Sequence, residues 1–177
     1  AEKRGLLNLT STVEAIPYLI SKKNVDLFKE HGIFSEVESY ARYGIKIEAY
    51  CKIVNIEALT MIDMAKRNIA PAVSSYCSEL ANTALAKKQL GVNIKAENEV
   101  LSKISDLAAI FNDKIAVLEN AVLSAGEFKS AEQAKYFHDM VIPAMNELRL
   151  VGDELETLTA EEYWPFPSYG EMMFSIN

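Results

Sequence analysis

The sequence predicts an all-α fold: an antiparallel bundle of long helices, preceded by short helices and followed by an extended aromatic C-terminal tail. Three observations predict it. Two runs of apolar residues step alternately by three and four along their whole length. Capping residues stand at the heads of the helical stretches and glycines at their ends. No Asn-Gly or Asp-Gly turn separates alternating apolar stretches, so the period-two signature of hairpins is missing.

The elements follow in chain order. Ser11-Thr12-Val13-Glu14 has capping-box spacing, and Val13, Ile16, Leu19 and Ile20 share one face of the short helix it opens. Asn24 is expected to cap a second short helix over 25–31, ended by Gly32, because glycine accepts the left-handed backbone that follows a helix. Ser35 and Glu38 repeat the capping-box spacing at the head of a long helical segment, 36–90, with Gly44 and Pro71 as interruptions and Gly91 as its end. Pro71 lacks an N–H and its ring presses on the carbonyl four residues back, so a kink is expected there. From about residue 55 the segment's apolar face is read as Leu59, Ile62, Ala65, Ile69, Val73, Tyr76 and Leu80.

The pattern is cleanest over 96–125, where Leu101, Ile104, Ala108, Phe111, Ile115, Leu118, Val122 and Ala125 form one seam. Gly126 closes this helix and Ser130 is expected to cap the next. The seam resumes as Ala134, Phe137, Val141, Ala144, Leu148, Val151, Leu155 and Leu158. Each helix is about 45 Å long at 1.5 Å per residue, and the connection over 126–130 permits only an antiparallel hairpin.

Composition narrows the function classes. A chain of 177 residues, half of them hydrophobic, can bury a core. The net charge of -7 and the scattered lysines and arginines leave no basic stripe for a nucleic-acid backbone. No apolar run reaches the roughly 20 residues that span a bilayer, and AEKRGLLNL lacks the apolar region of a signal peptide, so a cytoplasmic protein is expected. If Cys51 and Cys77 share a helix they lie about 39 Å apart, so they are read as reduced core thiols rather than a disulfide.

The sequence holds no familiar catalytic constellation. Phe28 and Lys135 stand three residues before His31 and His138, so the Glu-x-x-His pair of carboxylate-bridged metal bundles is missing. Two histidines and two distant cysteines supply little for zinc. No glycine lies within three residues of another, which excludes the phosphate-cradling loop and the dinucleotide fingerprint. Asp63 and Arg67 read as a solvated pair four apart, and Asp153, Glu154, Glu156, Glu161 and Glu162 as a wet acidic face. No catalytic, cofactor-binding or metal-binding residue is therefore assigned.

Three stretches carry a family resemblance. LLNLTSTVEAIPYLISKKNVDLFKEHGIFSEVESYARYGIKIEAY resembles the end of the catalytic domain of glutamine synthetases. NIEALTMIDMAKRNIAPAVSSY, and the run from VIPAM through DELE to WPFPSYGEMMF, resemble the carboxyl-terminal region of the large, type III members. Thr10 departs from the family's turn proline, and Gly170 stands where a larger residue is expected. The resemblance implies that residues 1–54 end a catalytic domain, and that 55–177 form a helical domain with its tail at 163–177.

It also implies a longer parent enzyme that joins ammonia to glutamate through a γ-glutamyl phosphate, using ATP and two divalent metal ions (Mg or Mn). The family's metal-holding glutamates and phosphate-binding signature have no match in this chain, which is expected to be inactive alone. Stacked hexameric rings of the same enzyme are the implied partners. A different class of reading is a free-standing helical adaptor that holds a partner helix or peptide in a groove; the apolar opening of the chain argues for something preceding it instead.

The tail then has a candidate role. Trp164, Phe166, Tyr169, Met172, Met173 and Phe174 are of the types enriched at protein interfaces. They are expected to pack on their own helices, on a neighbouring subunit, or on both, with Pro165 and Pro167 favouring an extended path.

Overall fold

A computed structural model describes residues 2–167 and 169–174. After a turn of 3₁₀-helix at Glu2–Arg4, the α-helices are α1 (Thr12–Ala15), α2 (Lys22–Glu30), α3 (Glu36–Met64), α4 (Ala70–Gln89), α5 (Lys95–Ala125), α6 (Ser130–Tyr136), α7 (Ile142–Leu158) and α8 (Tyr169–Phe174). Among the described residues there is no strand. The all-α expectation holds, with one difference at the end: residues 169–174 are helical rather than extended.

Both capping boxes form. The Glu14 N–H donates to Ser11 Oγ at 3.2 Å, and the Ser11 N–H donates to Glu14 Oε2 at 3.2 Å. At the head of α3, the Ser35 N–H donates to Glu38 Oε2 at 2.7 Å and the Glu38 N–H to Ser35 Oγ at 3.3 Å. The Ser35 backbone and hydroxyl, donating to the Glu38 carboxylate, hold it below its ordinary value of 4.5. A depressed carboxylate contributes stability above its unfolded value and loses it as pH falls through the folded one. The capped start of α3 is therefore expected to weaken below about pH 4.5. Ser35→Ala is expected to cost about 1 kcal/mol in urea melts at neutral pH, and less in acid.

Two expected caps are corrected. Asn24 lies inside α2, where its Nδ2 donates to the Tyr18 carbonyl at 2.7 Å, and the helix starts after Ser21, whose backbone is extended. Ser130 has a left-handed φ of 51° and is the first residue of α6, so its hydroxyl is not placed as a cap, which requires an extended backbone. Gln133 reaches back from α6 instead, donating to the Ala125 carbonyl at 3.0 Å. Gly32 and Gly91 do take the left-handed backbone at the ends of α2 and α4, with φ of 62° and 71°.

Pro71 is accommodated by a π-helical turn, Ala65–Ile69, that widens the helix just ahead of it. The same device precedes Pro143, at Phe137–Val141, where the apolar seam reads straight through. In both places the wider turn takes up a missing N–H without ending the helix.

The described chain divides into two compact units. The first comprises Ala1–Ala58 with Ala121–Pro143, the second Leu59–Asn120 with Ala144–Asn177. In the first, Val25, Ile47, Cys51, Val54 and Ala58 are buried together with Ala125, Ala134, Phe137 and Val141. Phe34 meets Phe28 edge-on at 5.6 Å and carries the Arg42 guanidinium 4.2 Å above its ring.

In the second unit, α5 runs antiparallel to the segment before it and to α7. Ion pairs record the register on one side: Lys66–Glu119 at 2.5 Å, and Lys87–Glu97. Lys103–Glu154 at 3.0 Å and Lys114–Glu147 at 2.5 Å record it on the other. Such partly exposed pairs add little stability. The energy lies beneath them, in Ile62, Val73, Ile104, Phe111, Ile115, Leu118, Leu148 and Leu155, all buried. Every residue of the two predicted seams is buried or half-buried. Leu59 is corrected, being 49 % exposed, because the inward face of α3 passes through Ala58, which is fully buried.

Candidate assembly surface

The tail grows out of the end of α7. The Thr159 N–H and hydroxyl both donate to the Leu155 carbonyl, at 2.9 and 2.8 Å, and Thr159 is itself buried. A tight turn follows, in which the Tyr163 and Trp164 N–H groups donate to the Ala160 carbonyl at 2.9 and 3.2 Å. The turn brings the Tyr163 ring onto Tyr76 of α4, with centroids 5.4 Å apart. Partial burial, with Glu79 and Glu162 nearby, pushes the Tyr163 phenol above its ordinary value.

Beyond the turn the six predicted tail residues separate into two groups. Trp164 and Phe166 are half-buried and line a cavity of about 420 Å³ with Glu156, Thr159, Glu161, Pro167 and Glu171. Met172, Met173 and Phe174, on α8, are 56 %, 73 % and 76 % exposed. The side chain of Tyr169 lies outside the described residues. Of the acidic residues that share the cavity with the two rings, Glu156 and Glu161 were read from sequence as part of a plain solvated face; nothing in their spacing marks the contact.

The other reactive groups are quiet. Cys51 and Cys77 are free thiols, both pushed up by burial, which makes them poor nucleophiles. His138 Nδ1 lies 2.7 Å from Asp139 Oδ1 on a partly exposed face. The Asp63–Arg67 pair forms at 3.3 Å with both side chains exposed, and Arg149 meets Asp153 at 3.6 Å. The Tyr50 hydroxyl is enclosed without a hydrogen-bond partner among the described residues, and burial raises its phenol. No group of three or more His, Cys, Asp and Glu side chains converges among the described residues. No described helix is long and apolar enough to cross a membrane.

A second apolar surface escaped the sequence reading. On α3, Ile45, Ile53 and Ile56 are 64 %, 56 % and 62 % exposed. Their spacing carried the signal, but an apolar face was read for this segment only from about residue 55 onward.

Fold and surface together define a helical module that presents apolar side chains outward. Residues 1–88 match the family described as glutamine synthetase C-terminal domain. The chain is 37 % identical over 99 % of its length to a glutamine synthetase of Butyrivibrio fibrisolvens, and 32 % identical over 98 % to a type-3 glutamine synthetase of Dictyostelium discoideum. A glutamine synthetase of Bacteroides fragilis (strain YCH46) is 26 % identical over 99 % of the chain. The chain spans about a quarter of each relative's length, 25 to 26 %, at their carboxyl-terminal portion. This chain belongs to the glutamine synthetase family, as the carboxyl-terminal region of its large, type III branch.

Proposed function

We propose that this chain is the carboxyl-terminal scaffold of a glutamine synthetase, which ligates ammonia to glutamate with ATP in the cytoplasm, and that it supports assembly of the enzyme's subunits. The observation that carries this is the match along the whole chain to one quarter of enzymes named glutamine synthetase. Residues 1–54 complete the catalytic domain and 55–177 form the helical domain.

ATP and two divalent ions belong to the longer enzyme. The donors present here do not fit a divalent ion, since the described carboxylates, thiols and imidazoles do not gather in threes.

The partners are other subunits of the same enzyme, arranged in stacked hexameric rings. The exposed Met172, Met173 and Phe174 suit such contacts, because Met and aromatic side chains are enriched at protein interfaces and the flexible thioether of Met fits irregular surfaces. Two experiments test the reading. ATP-dependent γ-glutamyl synthesis is expected from the longer enzyme and not from residues 1–177 alone; activity in the latter overturns the scaffold role. Replacing Met172, Met173 and Phe174 by serine in the longer enzyme is expected to weaken assembly in sedimentation velocity while leaving the KM for glutamate within about twofold. Unchanged sedimentation removes the tail from the assembly surface.

A further inference from the structure

The outward face of α3 raises a packing question of its own. At about 100° per residue, Ile47, Cys51, Val54 and Ala58 share one side of the helix, and Ile45, Ala49, Ile53 and Ile56 share the opposite one. The first set is buried. All four members of the second are exposed, and they form an unbroken stripe within the first compact unit. Four small and β-branched apolar residues in line on an outer face give a helix two cores, of which the described residues fill one.

The charges beside the stripe indicate what covers the other. Lys46 flanks it toward the start of α3 and Glu57 toward the end, on the same edge and about 16 Å apart along the axis. Both are exposed, and neither forms an ion pair among the described residues. The centre of the stripe falls near residue 51. A two-fold axis through that point, with the copies antiparallel, sets Ile53 of one copy against Ala49 of the other, large against small. It also brings Lys46 of each copy toward Glu57 of the other, twice. A parallel two-fold pairing would put the two copies of Lys46, and likewise of Glu57, on opposite edges of the contact, so that neither charge meets the other across it. Lys52, close to the axis, is already held by Glu48 on its own helix at 2.6 Å.

We infer that the outer face of α3 docks on the same face of a second copy, antiparallel, as an isologous contact centred near residue 51. This deepens the assembly role proposed above and rests on it. A single helix pair is smaller than the roughly 800 Å² per partner of a stable interface, so this contact acts alongside others in the assembled enzyme.

Charge reversal tests the arrangement, because a two-fold antiparallel contact predicts rescue. In the full-length enzyme, Lys46→Glu and Glu57→Lys are each expected to weaken subunit association about fivefold or more, measured by sedimentation velocity over a dilution series. The double variant, which restores opposite charges across the axis, is expected to return to within about twofold of wild type. Adding Ala49→Cys with Ile53→Cys is expected to give a disulfide-linked dimer under mild oxidation.

Two outcomes overturn the inference: single reversals that leave association unchanged, or a double variant as weak as the sum of the singles. If Ile53→Glu lowers the melting temperature equally at all protein concentrations and leaves association alone, the stripe is covered by another part of the same chain, and the inference also falls. Loss of assembly in the Met172, Met173 and Phe174 variant with no effect of the charge reversals keeps the scaffold role and removes only this contact.

Discussion

Phe111→Ala is expected to lower folding stability by about 3–5 kcal/mol, the range for truncating a large aromatic side chain in a core. Phe111 sits midway along α5, is 2 % exposed, and belongs to the cluster of Val73, Leu118, Leu148 and Leu155 in the second unit. Its ring meets α7 where the sequence supplies Gly152: a Cβ built at Gly152 lies 3.5 Å from Phe111 Cε2. That is ordinary contact, so Gly152→Ala is expected to be tolerated and to gain up to about 1 kcal/mol of helix propensity. Gly152→Leu, which drives further atoms into the ring, is expected to cost about 1–3 kcal/mol. Urea melts of the three variants separate these effects. A loss below about 1 kcal/mol for Phe111→Ala would mean that the ring can be replaced by local collapse, contrary to the packing described.

Phe137→Ala is the corresponding prediction for the first unit, again about 3–5 kcal/mol. Phe137 is 3 % exposed and opens the π-helical turn that accommodates Pro143. It lines a cavity of about 240 Å³ with Cys51, Asn55, Val122, Ala125 and Gln133, so the space left by truncation adds to one already present. The control is Phe174→Ala, at a ring 76 % exposed, with an expected change within about 0.5 kcal/mol in denaturant melts of this chain. Equal effects at Phe137 and Phe174 would contradict the assignment of inward and outward rings.

The seams of α5 and α7 were legible because each runs as an unbroken alternation of three- and four-residue steps, which holds one face inward even though Ile110, Val117 and Leu123 of α5 and Leu150 of α7 are apolar and exposed. Ile104, Phe111, Ile115 and Leu118 on one, and Val141, Ala144, Leu148 and Leu155 on the other, all lie in the core. The capping boxes at Ser11 and Ser35 were legible for a similar reason: both partners sit within one turn of the chain and need nothing distant. Asn24 and Ser130 misled because a capping side chain works only with an extended backbone at its own position, and that depends on how the preceding segment arrives. Leu59 misled because α3 carries isoleucine on both sides, so periodicity alone cannot select the inward one.

The candidate surface divides in the same way. The identity of the tail residues was open to inspection, as was their suitability for an interface. Their separation into a half-buried pair, Trp164 and Phe166, and an exposed trio, Met172, Met173 and Phe174, depends on the turn at Ala160 and on the contact of Tyr163 with Tyr76.

Helix content, the two capping boxes, the glycine ends at Gly32 and Gly91, the two seams and the family resemblance thus follow from residue order, since they rest on interactions within a few residues or on patterns along one face. The inward side of α3 and the division of the tail required the folded chain. Each is settled by which distant side chains compete for the same buried volume, and that competition has no signature in local spacing.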